Sequence, residues 1–275
     1  MSENARPPRG PSHLEPSEEV FAIETHGLSM RYRTEGGDHL DVLNDIDLTI
    51  GQGEFVSLIG PSGGGKSTLL EIPAGLRQPT AGRVLIYGKE EYQPSAAKGM
   101  VFQKDAVFPW MTVRQNVLYG LRLKRMPKAE RNERAAAFLG MVALDKYANY
   151  FPKELSGGMR KRLAIAMVFA NDPKILFMDE PFGSLDYTTK IELQSELLNL
   201  WRLNEKTVVF VTHDLEEALY LSSKVHVLRG GHIAESTSVP FARPREFELR
   251  NQADFRHALS HLWHQIKTPG EGDRR

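Results

Sequence analysis

Near the first quarter of the chain stands Gly60-Pro61-Ser62-Gly63-Gly64-Gly65-Lys66-Ser67-Thr68. It follows the apolar run Phe55-Val56-Ser57-Leu58-Ile59 and leads into Leu69-Leu70-Glu71-Ile72. A buried strand, a glycine-rich turn and a helix start, in that order, form the context of a phosphate-binding loop. Gly60, Gly65, Lys66 and Ser67 fill the fixed positions of G-x-x-x-x-G-K-[ST]. Glycines let the backbone turn its N–H groups inward onto phosphate oxygens, and the helix that starts here adds the positive end of its dipole. The Lys66 ammonium reaches the β- and γ-phosphates, and the Ser67 hydroxyl offers an oxygen to Mg²⁺. A chance glycine-rich turn is the bland alternative; the strand before it and the helix after it argue against that.

The chain has 275 residues, with 35 Lys+Arg balanced by 35 Asp+Glu. That length fits one large domain, or a domain with a subdomain, and a sizeable core. The zero net charge argues against a general polyanion-binding surface, so no nucleic-acid partner is expected. The chain has no cysteine, which excludes disulfides and thiolate metal sites. No run approaches the ~18 apolar residues of a membrane span. Residues 1–19 are rich in Pro, Ser, Arg and Glu without an apolar core, so a disordered tail is expected there rather than a signal peptide. Any membrane role is then peripheral and borrowed from a partner.

Short strands are expected at Val20 to Glu24 and Asp47 to Ile50, with a turn at Glu35-Gly36-Gly37-Asp38. Arg83 to Gly88 and Gly99 to Gln103 are further strand candidates. From about Trp110 to Ala170 the character is helical. Ala135, Phe138, Leu139 and Val142 share one face, and Ser156 is an N-cap for a helix to Ala170. Ile175 to Asp179, Thr207 to Thr212 and Lys224 to Arg229 are continuous apolar strands, with a helix at Ile191 to Leu203 between the first two. Such strands alternating with helices predict a parallel sheet covered on both faces. Pro73 lies in the helix after the glycine-rich loop, where it removes a donor and crowds the preceding turn; a kink or an end near Gly75 is expected.

Four apolar residues, Ile175 to Met178, deliver Asp179-Glu180-Pro181 to the C-terminal tip of a buried strand, the edge where ligands sit in open α/β sheets. Asp179 suits Mg²⁺, and Glu180 suits orienting or deprotonating a water that attacks a γ-phosphate. A solvated strand end is the competing reading, weakened by the phosphate loop. Gln103 ends a strand with an uncharged oxygen for the metal or the water. His213 follows a buried strand at the same edge as Asp179 and can hydrogen-bond a γ-phosphate. Ser156, Gly157 and Gly158 present a hydroxyl, backbone N–H groups and a helix start, a second anion site.

Leu155-Ser156-Gly157-Gly158-Met159-Arg160, placed just before Ile175 to Pro181, resembles the signature motif of the nucleotide-binding subunits of ATP-binding cassette (ABC) transporters. Gln103 is similar to that family's Q-loop glutamine, Ser184-Leu185-Asp186 to its D-loop, and His213 to its switch histidine. Tyr32 stands where the family carries an aromatic that stacks on adenine. The resemblance covers roughly residues 20 to 235. It implies an α/β fold: a P-loop NTPase core, mostly parallel with an antiparallel β subdomain, plus a helical subdomain at about 104–170. It implies ATP as substrate with Mg²⁺. It also implies a head-to-tail pair of ATPase subunits in which the Gly60 to Thr68 loop of one faces Ser156 to Gly158 of the other. Integral membrane permease subunits would dock near Gln103, and the chain would lie peripherally on the cytoplasmic face of the inner membrane.

The segment Val107-Phe108-Pro109-Trp110-Met111-Thr112-Val113 and the tail Arg243-Pro244-Arg245 resemble importer subunits for nitrate, sulfonate and taurine, which work with a periplasmic or extracellular solute-binding protein. An exporter ATPase and a soluble switch complex are the other classes. The tandem cassette or coiled-coil insertion usual in soluble members is absent, and exporter halves are commonly fused to membrane helices. The cassette is expected over 20–240, and 241–275 as a C-terminal helix and charged tail with Phe255, Leu259, Leu262, Trp263 and Ile266 in one stripe. Lys161 and the run Met167-Val168-Phe169-Ala170 depart from the family, which usually has Gln at the first and an Arg-Ala-Leu run at the second.

Overall fold

A computed structural model of the chain describes residues 20–267 except 105, 184 and 205. The expected tail over 1–19, the charged end beyond 267 and Ser184 of the D-loop-like stretch lie outside the described residues. Along the chain come β1 (Ile23–Arg33), β2 (His39–Ile50), β3 (Phe55–Ile59), α1 (Lys66–Ala74), β4 (Ala81–Ile86), β5 (Lys89–Glu90) and β6 (Lys98–Val101). Then follow α2 (Val113–Leu123), α3 (Lys128–Met141), α4 (Gly157–Ala170), β7 (Ile175–Asp179), α5 (Tyr187–Asn204), β8 (Thr207–Val211), α6 (Leu215–Leu221), β9 (Lys224–Arg229), β10 (His232–Ser238) and α7 (Ala253–Lys267).

The central sheet has the order β10-β9-β3-β8-β7-β6, parallel except for β10 at the edge. Its strands read as continuous apolar runs because both faces are covered. Phe55 and Ile59 of β3, Leu176 and Met178 of β7, and Val208 and Phe210 of β8 join one core with α2 to α7. The alternate residues Val56, Leu58, Ile175, Phe177, Val209 and Val211 join a second core with α1 and the smaller sheet. Each fully buried side chain of this size contributes about 1.5–3 kcal/mol, so a period-2 pattern that is apolar on both faces fixes the sheet's depth in the molecule.

The smaller sheet, β2-β1-β4-β5, is antiparallel. Its first two strands are longer than the composition implies. Met30 to Arg33 is strand rather than loop, with Tyr32 opposite Leu40 and Arg31 opposite Asp41, to which it is ion-paired. Pairing, not apolar content, makes this part of the strand. The turn expected at 35–38 is its hairpin tip. Strand β10 and helix α6 carry no strong period in the sequence and emerge only from edge pairing with β9 and from burial of Ala218, Leu219 and Leu221.

Helix α1 contains Pro73 and stops one residue later. Gly75 takes the left-handed conformation at φ 82° and its N–H bonds the Ile72 carbonyl, while Leu76 N–H bonds that of Glu71. This is a Schellman end, and it places the helix stop where the proline leaves the last turn short of a donor. A Cβ on Gly75 would stand 2.3 Å from the Gln93 carbonyl carbon, so only glycine fits.

Between β6 and β7 the chain is helical. Thr112 caps α2 in a capping box with Gln115, and buried Asn116 bonds the backbone of Phe108 at both its N–H and its carbonyl, which folds the Pro109-Trp110 segment over the helix start. Ala135, Phe138, Leu139 and Val142 are buried together as the sequence stripe predicts. In α7, Phe255 and Leu262 are buried and Leu259 and Ile266 pack beside them, but Trp263 lies off the stripe, 49% exposed, with the Lys267 ammonium 4.5 Å from its ring centre.

Buried His226 adds a pH-dependent contribution to stability. His226 of β9 is nearly inaccessible; its Nδ1 pairs with Ser236 Oγ at 2.6 Å, and Nε2 has no partner. Burial, with Lys224 adding, pushes its pKa down from 6.5 to about 4. The unfolded chain therefore binds a proton that the folded chain refuses, so stability is full above about pH 6.5 and falls as pH drops toward 4, by roughly 3 kcal/mol in all. Urea titrations at pH 7 and pH 4.5 are expected to show a larger loss for the wild type than for His226→Leu; equal losses would show that His226 is not the group responsible.

Candidate active site

The loop after β3 is pressed between neighbouring strands. Gly60 has φ 150° and a Cβ there would lie 2.0 Å from the Leu228 carbonyl oxygen of β9; at Gly65, φ 90°, it would lie 2.8 Å from the Val42 carbonyl oxygen of β2. Both positions demand glycine for conformation and for space. Gly65 is also the N-cap of α1, with no side-chain cap on the helix's first N–H groups. Lys66 is only 6% exposed, and its Nζ donates to the carbonyls of Gly60 (3.0 Å) and Pro61 (2.8 Å). Burial pushes its pKa down, and the charges of Glu180 and Asp179 pull it back up.

The strand ends supply the rest. Ser67 Oγ donates to Asp179 Oδ1 at 3.1 Å, joining α1 to the tip of β7. Burial raises the Asp179 pKa, Glu180 and Glu71 add to the rise, and the Ser67 bond and Lys66 oppose it. These two oxygens fit Mg²⁺, a hard cation bound by one or two protein oxygens plus substrate phosphates. Among the described residues no cluster of three or more His, Asp or Glu builds a metal cage by itself.

Glu180 is the centre of the arrangement. It has φ 42°, a left-handed conformation that is rare for a side chain of its size. Its N–H is held by the Val211 carbonyl at 3.0 Å, which locks the turn off β7. Its Oε2 accepts from Gln103 Nε2 at 2.9 Å and lies 3.3 Å from His213 Nδ1. Gln103 and His213, read from the sequence as facing the metal, a water or a phosphate, here turn their nitrogens onto the carboxylate. An open cleft of about 660 Å³ runs along residues 62–68 and is also bounded by Tyr32, Gln103, Glu180 and His213. Tyr32 reaches it with its hydroxyl 3.2 Å from Thr68 Oγ1 and the Arg77 guanidinium 5.2 Å from its ring centre.

Ser156, Gly157 and Gly158 do not line that cleft. Ser156 caps α4 by accepting from Met159 N–H at 3.2 Å, and it is exposed together with Gly157. Gly158 lies so close to α5 that a Cβ would meet Thr189 Cγ2 at 2.7 Å.

Sequence reasoning missed the residues that brace His213. Thr212 Oγ1 donates to the buried Glu217 carboxylate and accepts from Asp214 N–H, while Lys190 pairs with both Asp214 (3.1 Å) and Glu217 (3.0 Å). Burial raises the Glu217 pKa. A Glu four residues after a histidine reads as an ordinary helix acid, and only its burial reveals the brace. Leu40 and Val42, which close the cleft's apolar side, were also missed, since their stretch carries no nucleotide signal.

Residues 43–183 match the ABC transporter family. An uncharacterized ABC transporter ATP-binding protein of Methanocaldococcus jannaschii is 49% identical over 212 residues, covering 76% of this chain and 79% of that protein. A taurine import ATP-binding protein of Roseobacter denitrificans is 40% identical over 244 residues, covering 88% and 89%. Among solved structures, the dimeric post-hydrolysis state of the ATP-binding cassette MJ0796, bound to ADP and Pi, superposes with a TM-score of 0.72 at 33% identity, over 80% of this chain and all of that one. With its phosphate loop, strand-end carboxylates and matched fold, the chain belongs to the ABC transporter family as an ATP-binding and ATP-hydrolysing cassette.

Proposed function

We propose that this cassette drives uptake of a small solute such as taurine, nitrate or a sulfonate, paired with a second copy of itself and bound to membrane permease subunits at the cytoplasmic face. A periplasmic or extracellular binding protein would deliver the solute. The likeness to a taurine import subunit and the Pro109-Trp110 segment support the importer assignment. The observation that carries the catalytic reading is the Glu180 carboxylate, held by Gln103 and His213 at the end of the phosphate-loop cleft.

In this reading ATP lies with its adenine on Tyr32 and its phosphates on backbone N–H groups among residues 62–68, with Lys66 on the β- and γ-phosphates. Ser67 and Asp179, with Gln103 nearby, would hold Mg²⁺. When bound, Mg²⁺ neutralises charge on the β- and γ-phosphate oxygens. Glu180 takes a proton from water as that water's oxygen attacks the γ-phosphorus; the bond to the β–γ bridging oxygen breaks, leaving ADP and phosphate. Gln103 and His213 keep the carboxylate aimed. Ser156 to Gly158 serve the γ-phosphate of the partner's nucleotide, which is consistent with their absence from the cleft of their own subunit.

An apolar groove of about 380 Å³ beside Gln103 fits a permease element. It is bounded by Phe102, Phe108, Tyr119, Leu123 and Val168, and Leu123 is 69% exposed. No helix among the described residues is long and apolar enough to cross a membrane, so attachment through such a groove is in keeping with the fold.

Glu180→Gln is expected to leave ATP binding intact, slow hydrolysis by about a hundredfold or more and trap an ATP-bound dimer visible by light scattering. Unchanged turnover would remove Glu180 from its role. Leu123→Glu is expected to abolish co-purification with permease subunits while leaving the ATPase rate of the isolated protein within about twofold, since an exposed substitution away from the site perturbs little. Retained co-purification would move the docking site elsewhere.

A further inference from the structure

We infer that Lys161 is a positioning residue for catalysis: from α4 it holds the backbone of Gln103, and through it the Glu180 carboxylate. The inference rests on the proposed role of Gln103. Lys161 sits five residues after Ser156 in the same helix and is 2% exposed. Its Nζ donates to the carbonyl oxygen of Gln103 and, at 3.4 Å, to that of Phe102.

Those two carbonyls follow directly on Val101, where the pairing of β6 with β7 ends. Beyond the ladder a backbone carbonyl must find another donor or stay wet, and its peptide is otherwise free to rotate. Lys161 supplies that donor. Its effect passes along one short path. The ammonium fixes the Gln103 peptide, that peptide sets where the Gln103 side chain starts, and Gln103 Nε2 reaches Glu180 Oε2 at 2.9 Å. A carboxylate whose aim sets proton transfer loses rate when its orienting partner swings, while nucleotide affinity, carried by Tyr32 and the phosphate loop, stays as it was.

The same contact joins two parts of the proposed paired state. The α4 N-terminus serves the partner's nucleotide, and the α4 side chain one and a half turns on grips the loop that aims this subunit's base. The sequence marks the position as a departure, since a glutamine side chain at 161 would be one bond shorter.

The test compares Lys161→Met, which keeps an unbranched stem one bond shorter and removes the donor, with Lys161→Arg, which keeps a donor, and with Gln103→Ala alone and combined with Lys161→Met. In the full-length protein, K161M is expected to lower kcat by about tenfold with the ATP Kd within about twofold, and K161R to recover at least about a third of the wild-type rate. The double variant is expected to be no slower than Q103A, because both changes remove one linkage. A K161M enzyme at wild-type kcat, a K161M loss confined to ATP affinity, or losses that multiply in the double variant would each overturn the inference. If Q103A turns over normally while K161M is slow, the proposed role of Gln103 fails and this route with it. Should K161M not unfold cooperatively, Lys161→Gln carries the same comparison, with a smaller drop in kcat and the same unchanged Kd expected.

Discussion

A Cβ on Gly60 would stand 2.0 Å from the Leu228 carbonyl, and one on Gly65 would stand 2.8 Å from that of Val42. This lack of room ties the nucleotide loop to both sheets at once, because Leu228 belongs to the parallel sheet and Val42 to the antiparallel one. The backbone is thereby held in a conformation open only to glycine at both points. The cleft's side chains are placed from that loop: Lys66 anchored on its carbonyls, Ser67 reaching β7, and Tyr32 touching Thr68.

Parallel strands bring the remaining groups to one edge. β3, β6, β7 and β8 run the same way, so the residues just past their C-terminal tips lie side by side: the loop, Gln103, Glu180 and His213. The two-faced apolar runs make this possible. A strand buried on both sides carries few polar residues, and Ser57 and His226 are hydrogen-bonded there, so the carboxylates and other site groups appear where the strands meet solvent. Glu180 stores strain in its left-handed backbone, offset by the bond to Val211 and by the buried Phe182 that follows it.

Charge is balanced within the site. Burial pushes the Lys66 pKa down while the charges of Glu180 and Asp179 oppose that shift, and burial pushes the Asp179 pKa up while the Ser67 bond and Lys66 oppose it. Lys66 and Asp179 therefore favour each other's ionised forms in a place that desolvates both, while Glu180 supports the charge on Lys66 and opposes that on Asp179. A second arrangement of the same kind lies under His213, where Lys190 satisfies Asp214 and buried Glu217. The two sets meet at Glu180, which His213 faces.

Much of this was legible in the chain alone. The spacing from Gly60 to Ser67, the strand that delivers Asp179 and Glu180, the cap at Ser156 and the helix stop near Gly75 are local matters, set by backbone conformation and by burial period within a few residues. The length of β1 and β2, the edge strand β10 and helix α6 were not legible, because each is stabilised by partners far along the chain rather than by its own pattern. The brace of Thr212, Lys190 and Glu217 and the reach of Lys161 to Gln103 were hidden for the same reason. Which residues could hold a phosphate, and where the carboxylates emerge, follow locally from a loop that tolerates only glycine and from apolar runs that end in acids. What aims Glu180 and what closes the cleft arise from packing across the chain, because hydrogen bonds between residues 58 or 77 positions apart depend on how the strands and helices are stacked.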